Sequence, residues 1–141
     1  MPSMPRRAIR SFLGRANLAR IATLKHDGSP FVVPVWYEWD GSHLYFLATA
    51  TASWVENIRG DARVAVVIDN DDPPHEKVII EGEAEIVGEA VEDWIRIGKR
   101  MVKRYMKPDS REAYIEEIKR QRIAMIRVTP RKLISWVVPE P

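Results

Sequence analysis

The chain has no cysteine among its 141 residues. That excludes disulfides, thiol catalysis and cysteine-ligated zinc or iron–sulfur sites. Histidine is scarce as well. The three, His26, His43 and His75, sit beside turns or in a proline loop, none has a helical i, i+4 partner, and no metal site is expected. No apolar run approaches the ~20 residues of a membrane helix. The first twenty residues carry charge without a continuous apolar stretch, so they do not read as a secretory signal. A cytoplasmic protein without a membrane partner is the expectation. Charge is nearly balanced, with 22 basic and 20 acidic side chains and a net +2, which argues against a nucleic-acid partner. There is no P-loop, no dinucleotide fingerprint and no Gly-x-Ser-x-Gly elbow. No acid–base or nucleophilic constellation stands out, and no catalytic residue is named.

Turn chemistry and aromatic, β-branched runs dominate the first half. Asp27-Gly28 and Asp40-Gly41 separate three such runs within residues 19–49. Glycine tolerates the positive φ of tight hairpin turns, so this spacing predicts an antiparallel meander. Strands are expected at 18–25, 30–39 and 43–49, with Pro34 marking an edge or a bulge. Residues 5–15 read as a short helix and 53–60 as another, capped by Thr51 or Ser53. Residues 62–69 are a nearly continuous apolar, β-branched run, which predicts a well-buried strand, and 78–87 are another strand, with Gly82 as a bulge or close approach. From 89 to 107 the period turns helical: Val91, Trp94, Ile95, Met101, Val102 and Tyr105 share a face, and Pro108 ends it. A further helix at 110–120 and a strand at 122–130, extended by KLISWVV, complete the chain. The sum is a mainly β (α+β) single domain over 1–141: six or seven antiparallel strands, closed toward a barrel, with flanking helices.

Arg96, Lys99, Arg100, Lys103, Arg104 and Lys107 form a basic flank opposite that apolar stripe, read as a solvated face. The acidic run Asp69-Asn70-Asp71-Asp72 reads as a solvated turn. Of Trp36 and Tyr37, which point to opposite faces of a strand, one can line a pocket and the other packs.

Four blocks carry a resemblance: residues 19–41, 44–69, 78–87 and IRVTPRKLISW at 126–136. In this order and spacing the chain resembles the pyridoxamine 5'-phosphate oxidase-like split β-barrel family of flavin- and deazaflavin-dependent oxidoreductases. The resemblance implies a homodimer with cofactor sites at the subunit interface. It places Val33, Pro34, Val35 and Trp36 along the flavin ring, and Ala48, Thr49, Ser53, Trp54 and Asn57 near the phosphate or ribityl chain. Two departures accompany it. Trp54 stands where many relatives carry a phosphate-pairing lysine, with Glu56 just before Asn57, so Arg59, Arg63 or the partner subunit would have to supply the cation. Lys77 stands where the oxidases proper have glutamine, and would put a donor near the ring. On this basis Trp54→Lys is expected to raise affinity for FMN.

The activity so implied is hydride transfer through FMN, or the deazaflavin F-420, to a small-molecule substrate. The alternative is a protein that binds or stores a flavin, deazaflavin or haem without turnover.

Overall fold

The structure, a computed structural model, describes residues 1–139. Its elements run α1 (Arg6–Gly14), β1 (Ala19–Leu24), β2 (Pro30–Val35), β3 (Glu38–Trp39), β4 (Leu44–Thr49), α2 (Ser53–Gly60), β5 (Arg63–Asp69), β6 (Lys77–Gly88), α3 (Val91–Tyr105), α4 (Pro108–Lys119) and β7 (Ile123–Trp136). The strands form one antiparallel seven-stranded sheet in the order β2-β1-β5-β6-β7-β4-β3. Gly28 and Gly41 take φ of 85° and 99° at the two hairpin turns, as their Asp-Gly dipeptides require.

β2 and β3 lie at opposite edges of this sheet, yet only Trp36 and Tyr37 separate them in sequence. From Val35 to Glu38 is three Cα steps, a span of at most ~11 Å. The edges must therefore meet, and the sheet curls into a half-barrel closed by the chain itself rather than by a hydrogen-bonded ladder. This also corrects the expectation of one strand over 30–39. The strand breaks at Trp36 because α3 side chains take the backbone groups there. Tyr37 donates its N–H to the Tyr105 hydroxyl at 3.4 Å, and its carbonyl accepts from Arg104 at 2.6 Å. Pro34 lies, as its missing N–H demands, on an edge strand.

The inside of the curl is the main core. Ile21, Val66, Ile80, Ile126 and Phe46 meet there, and α1 and α2 plug its openings with Phe12, Leu13, Trp54, Val55 and Ile58. β5, expected from its apolar run to be well buried, is buried on that face alone: Val64, Val66 and Ile68 are buried, while Ala65 and Val67 are half-exposed on the other, where no helix covers the sheet. The outer face divides in two. Across β4 and β7, Leu47, Ile123 and Met125 are covered by Trp94, Val102, Ile115 and Ile118 of α3 and α4. Across β2, β1, β5, β6 and the end of β7, the row Pro34–Arg20–Val67–Ile79–Ile134 is left uncovered, beside Val32 at 63% exposure.

β6 shifts register against β7 between Glu81 and Gly82. A Cβ on Gly82 would collide with the Thr129 carbonyl oxygen, which is why glycine stands mid-strand. Pro108 is the first residue of α4 as well as the stop for α3, and Arg111 secures the corner by donating to the Val102, Met106 and Lys103 carbonyls at the end of α3. Neither Thr51 nor Ser53 caps α2. The N-cap is Ala52, and no side chain bonds to the first turn.

Gly82→Ala is expected to lower stability by about 1–3 kcal/mol, because backbone on both strands must shift. Urea unfolding of the two proteins measures it.

Candidate functional site

A cleft of about 580 Å³ opens at the border between the helix-covered and the uncovered halves of the sheet. β2 contributes Pro34, Val35 and Trp36 at one side, and β4 contributes Leu47, Ala48 and Thr49. α3 gives the floor through Gly98, Met101 and Val102, and α4 leans over it with Tyr114, Glu117 and Ile118. Those α4 positions share a face because they are three and four apart. Gly98 matters to this shape. A Cβ there would sit 3.2 Å from the Trp94 ring on the same helix and 3.4 Å from Leu47 of β4, so that ring would have to give by a few tenths of an ångström.

Trp36 is the wall most firmly held. Its ring stacks on Tyr105 with centroids 4.9 Å apart and planes 3° from parallel, while Tyr114 lies 5.9 Å away at 47°. Tyr105 is fixed in turn, its hydroxyl donating to the Asn17 carbonyl at 2.7 Å. Arg104 next to it donates to the carbonyls of Tyr37 and Arg15, each at 2.6 Å, and pairs with Glu38 at 2.9 Å. Its guanidinium also lies over the Tyr37 and Tyr105 rings. Arg104 is thus turned inward and is not part of a solvated basic flank. Its planar fork reaches three acceptors on two chain segments, which a lysine would not match. Burial pushes the Tyr105 hydroxyl up to about 12 and raises the Tyr37 hydroxyl above its ordinary value.

Five of the ten residues singled out from sequence therefore come together in one cleft: Pro34, Val35, Trp36, Ala48 and Thr49. The other five lie elsewhere. Val33 points the opposite way from Pro34 and packs on the core. Ser53 is exposed at the start of α2. Trp54 is 6% exposed and meets Phe46 edge-on at 6.4 Å inside the curl. Asn57 donates to the buried Thr23 hydroxyl at 3.0 Å and borders a separate hollow of about 270 Å³ with Lys25, His26 and Asp61. Lys77 begins β6 opposite Asp69 and Trp136. The helical wall from α3 and α4 was not readable from the sequence. Its one signal was Gly98, a costly residue inside an otherwise good helix, which marks a close approach.

The cations near the β4–α2 corner are already engaged. Ala50 donates its N–H to the Arg122 carbonyl at 2.8 Å, which brings Arg122 beside Thr49. Arg122 pairs with Glu89 at 2.7 Å, and Arg59 pairs with the same Glu89 at 3.3 Å and with Glu56 at 3.1 Å. Partial desolvation pushes the Glu89 carboxyl up, but the bonds from Arg59 and Arg122 outweigh it and hold it below the ordinary carboxylate range. Arg63 is bound to Asp61, whose carboxyl it lowers to about 2. Among the described residues no group of three or more His, Asp or Glu side chains is arranged to hold a metal ion, and no helix is long and apolar enough to cross a membrane.

Two outcomes follow. Trp54→Lys is expected to destabilise by about 3 kcal/mol or more, by emptying a core position and burying a cation, rather than to assist a phosphate. Thermal unfolding measures it, and an unchanged Tm would place that side chain outside the core. At high pH, the raised Tyr105 and Tyr37 hydroxyls stabilise the folded state fully below pH ~10, where both states are protonated. That contribution is lost as pH climbs from there through about 12, the folded value for Tyr105. Tyr105→Phe should flatten this alkaline loss in urea unfolding followed across the range, and should cost about 1 kcal/mol at neutral pH through the lost hydroxyl bonds.

Comparison with known proteins agrees with this architecture. A family model described as pyridoxamine 5'-phosphate oxidase matches residues 5–137. No curated protein matches the sequence significantly. Among solved structures, the conserved hypothetical protein Rv2991 from Mycobacterium tuberculosis is 26% identical with a TM-score of 0.83, over 98% of this chain and 91% of that one. An F-420 reductase is 25% identical with a TM-score of 0.69, over 88% and 94%. HutZ, a haem storage protein from Vibrio cholerae, has a TM-score of 0.73 at 17% identity over 92% and 93%, a likeness that speaks to the fold alone. With the half-barrel, its strand order and a family match across nearly its whole length, the chain belongs to the pyridoxamine 5'-phosphate oxidase family.

Proposed function

We propose that this protein is an oxidoreductase that works through a flavin or deazaflavin, FMN or F-420, whose ring lies in the cleft between β2, β4 and the α3–α4 hairpin. The observation that carries this reading is the lining of that cleft: a slot of about 580 Å³, mostly apolar, with an immobilised Trp36 along one wall. A flat, conjugated ring suits such walls, because it gains apolar burial and offset stacking without asking for charge. The 25%-identical F-420 reductase supports the same class of chemistry. When bound, such a ring supplies the hydride-carrying atom. The protein's part is to orient the ring and exclude water, and the absence of an acid–base pair among the lining residues suits that division of labour.

The phosphate or anionic tail would leave the cleft at Thr49 toward α2. The first turn of α2 has no side-chain cap, so its N–H groups and dipole favour an anion there. Arg122 and Arg59 are the cations at that corner, each shared with Glu89. They take over the role that the buried Trp54 leaves vacant, at the cost of competing with Glu89. The partner of a homodimer is the other source of charge. Its docking face would be the uncovered outer row around Val32, Pro34 and Ile134, apolar enough to favour association.

Titration of riboflavin, FMN and F-420, read by ligand fluorescence, tests the placement. Gln121→Trp, at the exposed lip of the cleft, should weaken all three at least about tenfold, or ~1.4 kcal/mol. Glu89→Gln frees Arg122, leaves Arg59 paired with Glu56 alone, and should tighten FMN and F-420 about two- to fivefold while leaving riboflavin unchanged. Purified protein that sediments as a monomer and binds none of the three would end this reading.

A further inference from the structure

We propose that the cleft favours planar organic cations and neutral hydrogen-bond donors over ring systems that carry a negative charge within it, with Glu117 of α4 setting the preference. The inference rests on the cleft being the ligand site, as the functional reading also holds, and adds the charge class of the substrate it admits.

Among the described residues lining the cleft, Glu117 is the one formally charged side chain, and none is lysine, arginine or histidine. That is unusual for this chain, in which 22 of 141 residues are basic. The cations nearby in the fold face other ways: Arg104 into the Tyr37 carbonyl and Glu38, Arg122 onto Glu89. Arg120 is the cation that reaches Glu117, at 3.6 Å; with the two side chains 78% and 61% exposed, this is a screened pair at the mouth of the cleft. The carboxylate is therefore free to turn to a ligand.

The neighbouring rings add the same sign of potential. Tyr114 is three residues before Glu117 on the cleft-facing side of α4, and leans toward Trp36 at 47°. Aromatic faces are the negative pole of the ring quadrupole and attract cations within about 6 Å. A carboxylate and two aromatic faces, with no cation in the cleft lining and one exposed arginine paired to the carboxylate from outside it, are the elements of an organic-ammonium site. An anionic substrate would meet the same groups with repulsion, and would have no donor stronger than the Thr49 hydroxyl, the Gln121 amide or the Tyr114 hydroxyl.

The test uses the full-length protein and two matched probes, 1-naphthylmethylammonium and 1-naphthoate, which share a ring system and differ in charge. Binding is followed through the five tryptophan indole N–H signals in nitrogen-15 spectra, with the Trp36 signal identified by Trp36→Phe. The ammonium is expected to bind roughly fivefold more tightly than the carboxylate, the sum of an exposed charge pair and a cation–π contact, and to move the Trp36 signal. Glu117→Gln should remove most of the difference, and Glu117→Lys should reverse it. Equal affinities in the unmodified protein, or a preference that survives Glu117→Gln, would overturn the proposal. Riboflavin, which is uncharged, is titrated alongside. If it leaves Trp36 unmoved while the charge preference holds, the flavin reading fails and this one stands. If it binds and the preference is missing, the reverse is true.

Discussion

Two residues between opposite edges of the sheet govern this molecule. Trp36 and Tyr37 join β2 to β3, which are first and last in the strand order. So short a link cannot cross a flat seven-stranded sheet, whose neighbouring strands lie ~4.8 Å apart. The curl, the enclosed core and the seam where the edges meet all follow from that one length. The cleft opens at the seam because the ladder is interrupted there, and an interrupted ladder leaves backbone groups that side chains must satisfy.

Those groups are satisfied by the end of α3. Tyr105 and Arg104 bond to Tyr37, Asn17 and Arg15, so one helical turn holds the β2–β3 join and the end of α1 together. The same turn places the Tyr105 ring flat against Trp36. Closing the barrel and building the cleft wall are thus a single structural event. A polar network of this kind is demanding, since each partly buried donor that loses its acceptor costs more than the bond itself contributes.

Charge is laid out on a complementary plan. Cations near the α2 end are held by Glu89 and Glu56, while the cleft lining carries one carboxylate, exposed at its mouth, and no cation. An anionic tail and a ring-shaped body would therefore favour different parts of one continuous surface. The uncovered outer row from Pro34 to Ile134 borders the cleft at Pro34, so a second copy docking there would meet the site directly.

Local chemistry determined a good deal from the sequence alone. The two Asp-Gly hairpins, the bulge at Gly82 and the helix stop at Pro108 depend on neighbours within a few residues, and each was legible, whereas the one-sided burial of β5 was not, since its apolar run looks the same whether one face or both are covered. Half of the candidate site was legible too, because the strands β2 and β4 carry the residues by which the family is recognised. Tertiary structure decided the rest. The resemblance put Trp54 near the phosphate and helical periodicity put Arg104 on a solvated face, and long-range packing set one in the core and the other at the seam. Arg122, Gly98, Tyr114 and Glu117 gained their meaning from the way α3 and α4 fold back over β4. Helical periodicity says which face of a helix is apolar. It does not say which strand that face will cover, and here that choice is what makes a cleft.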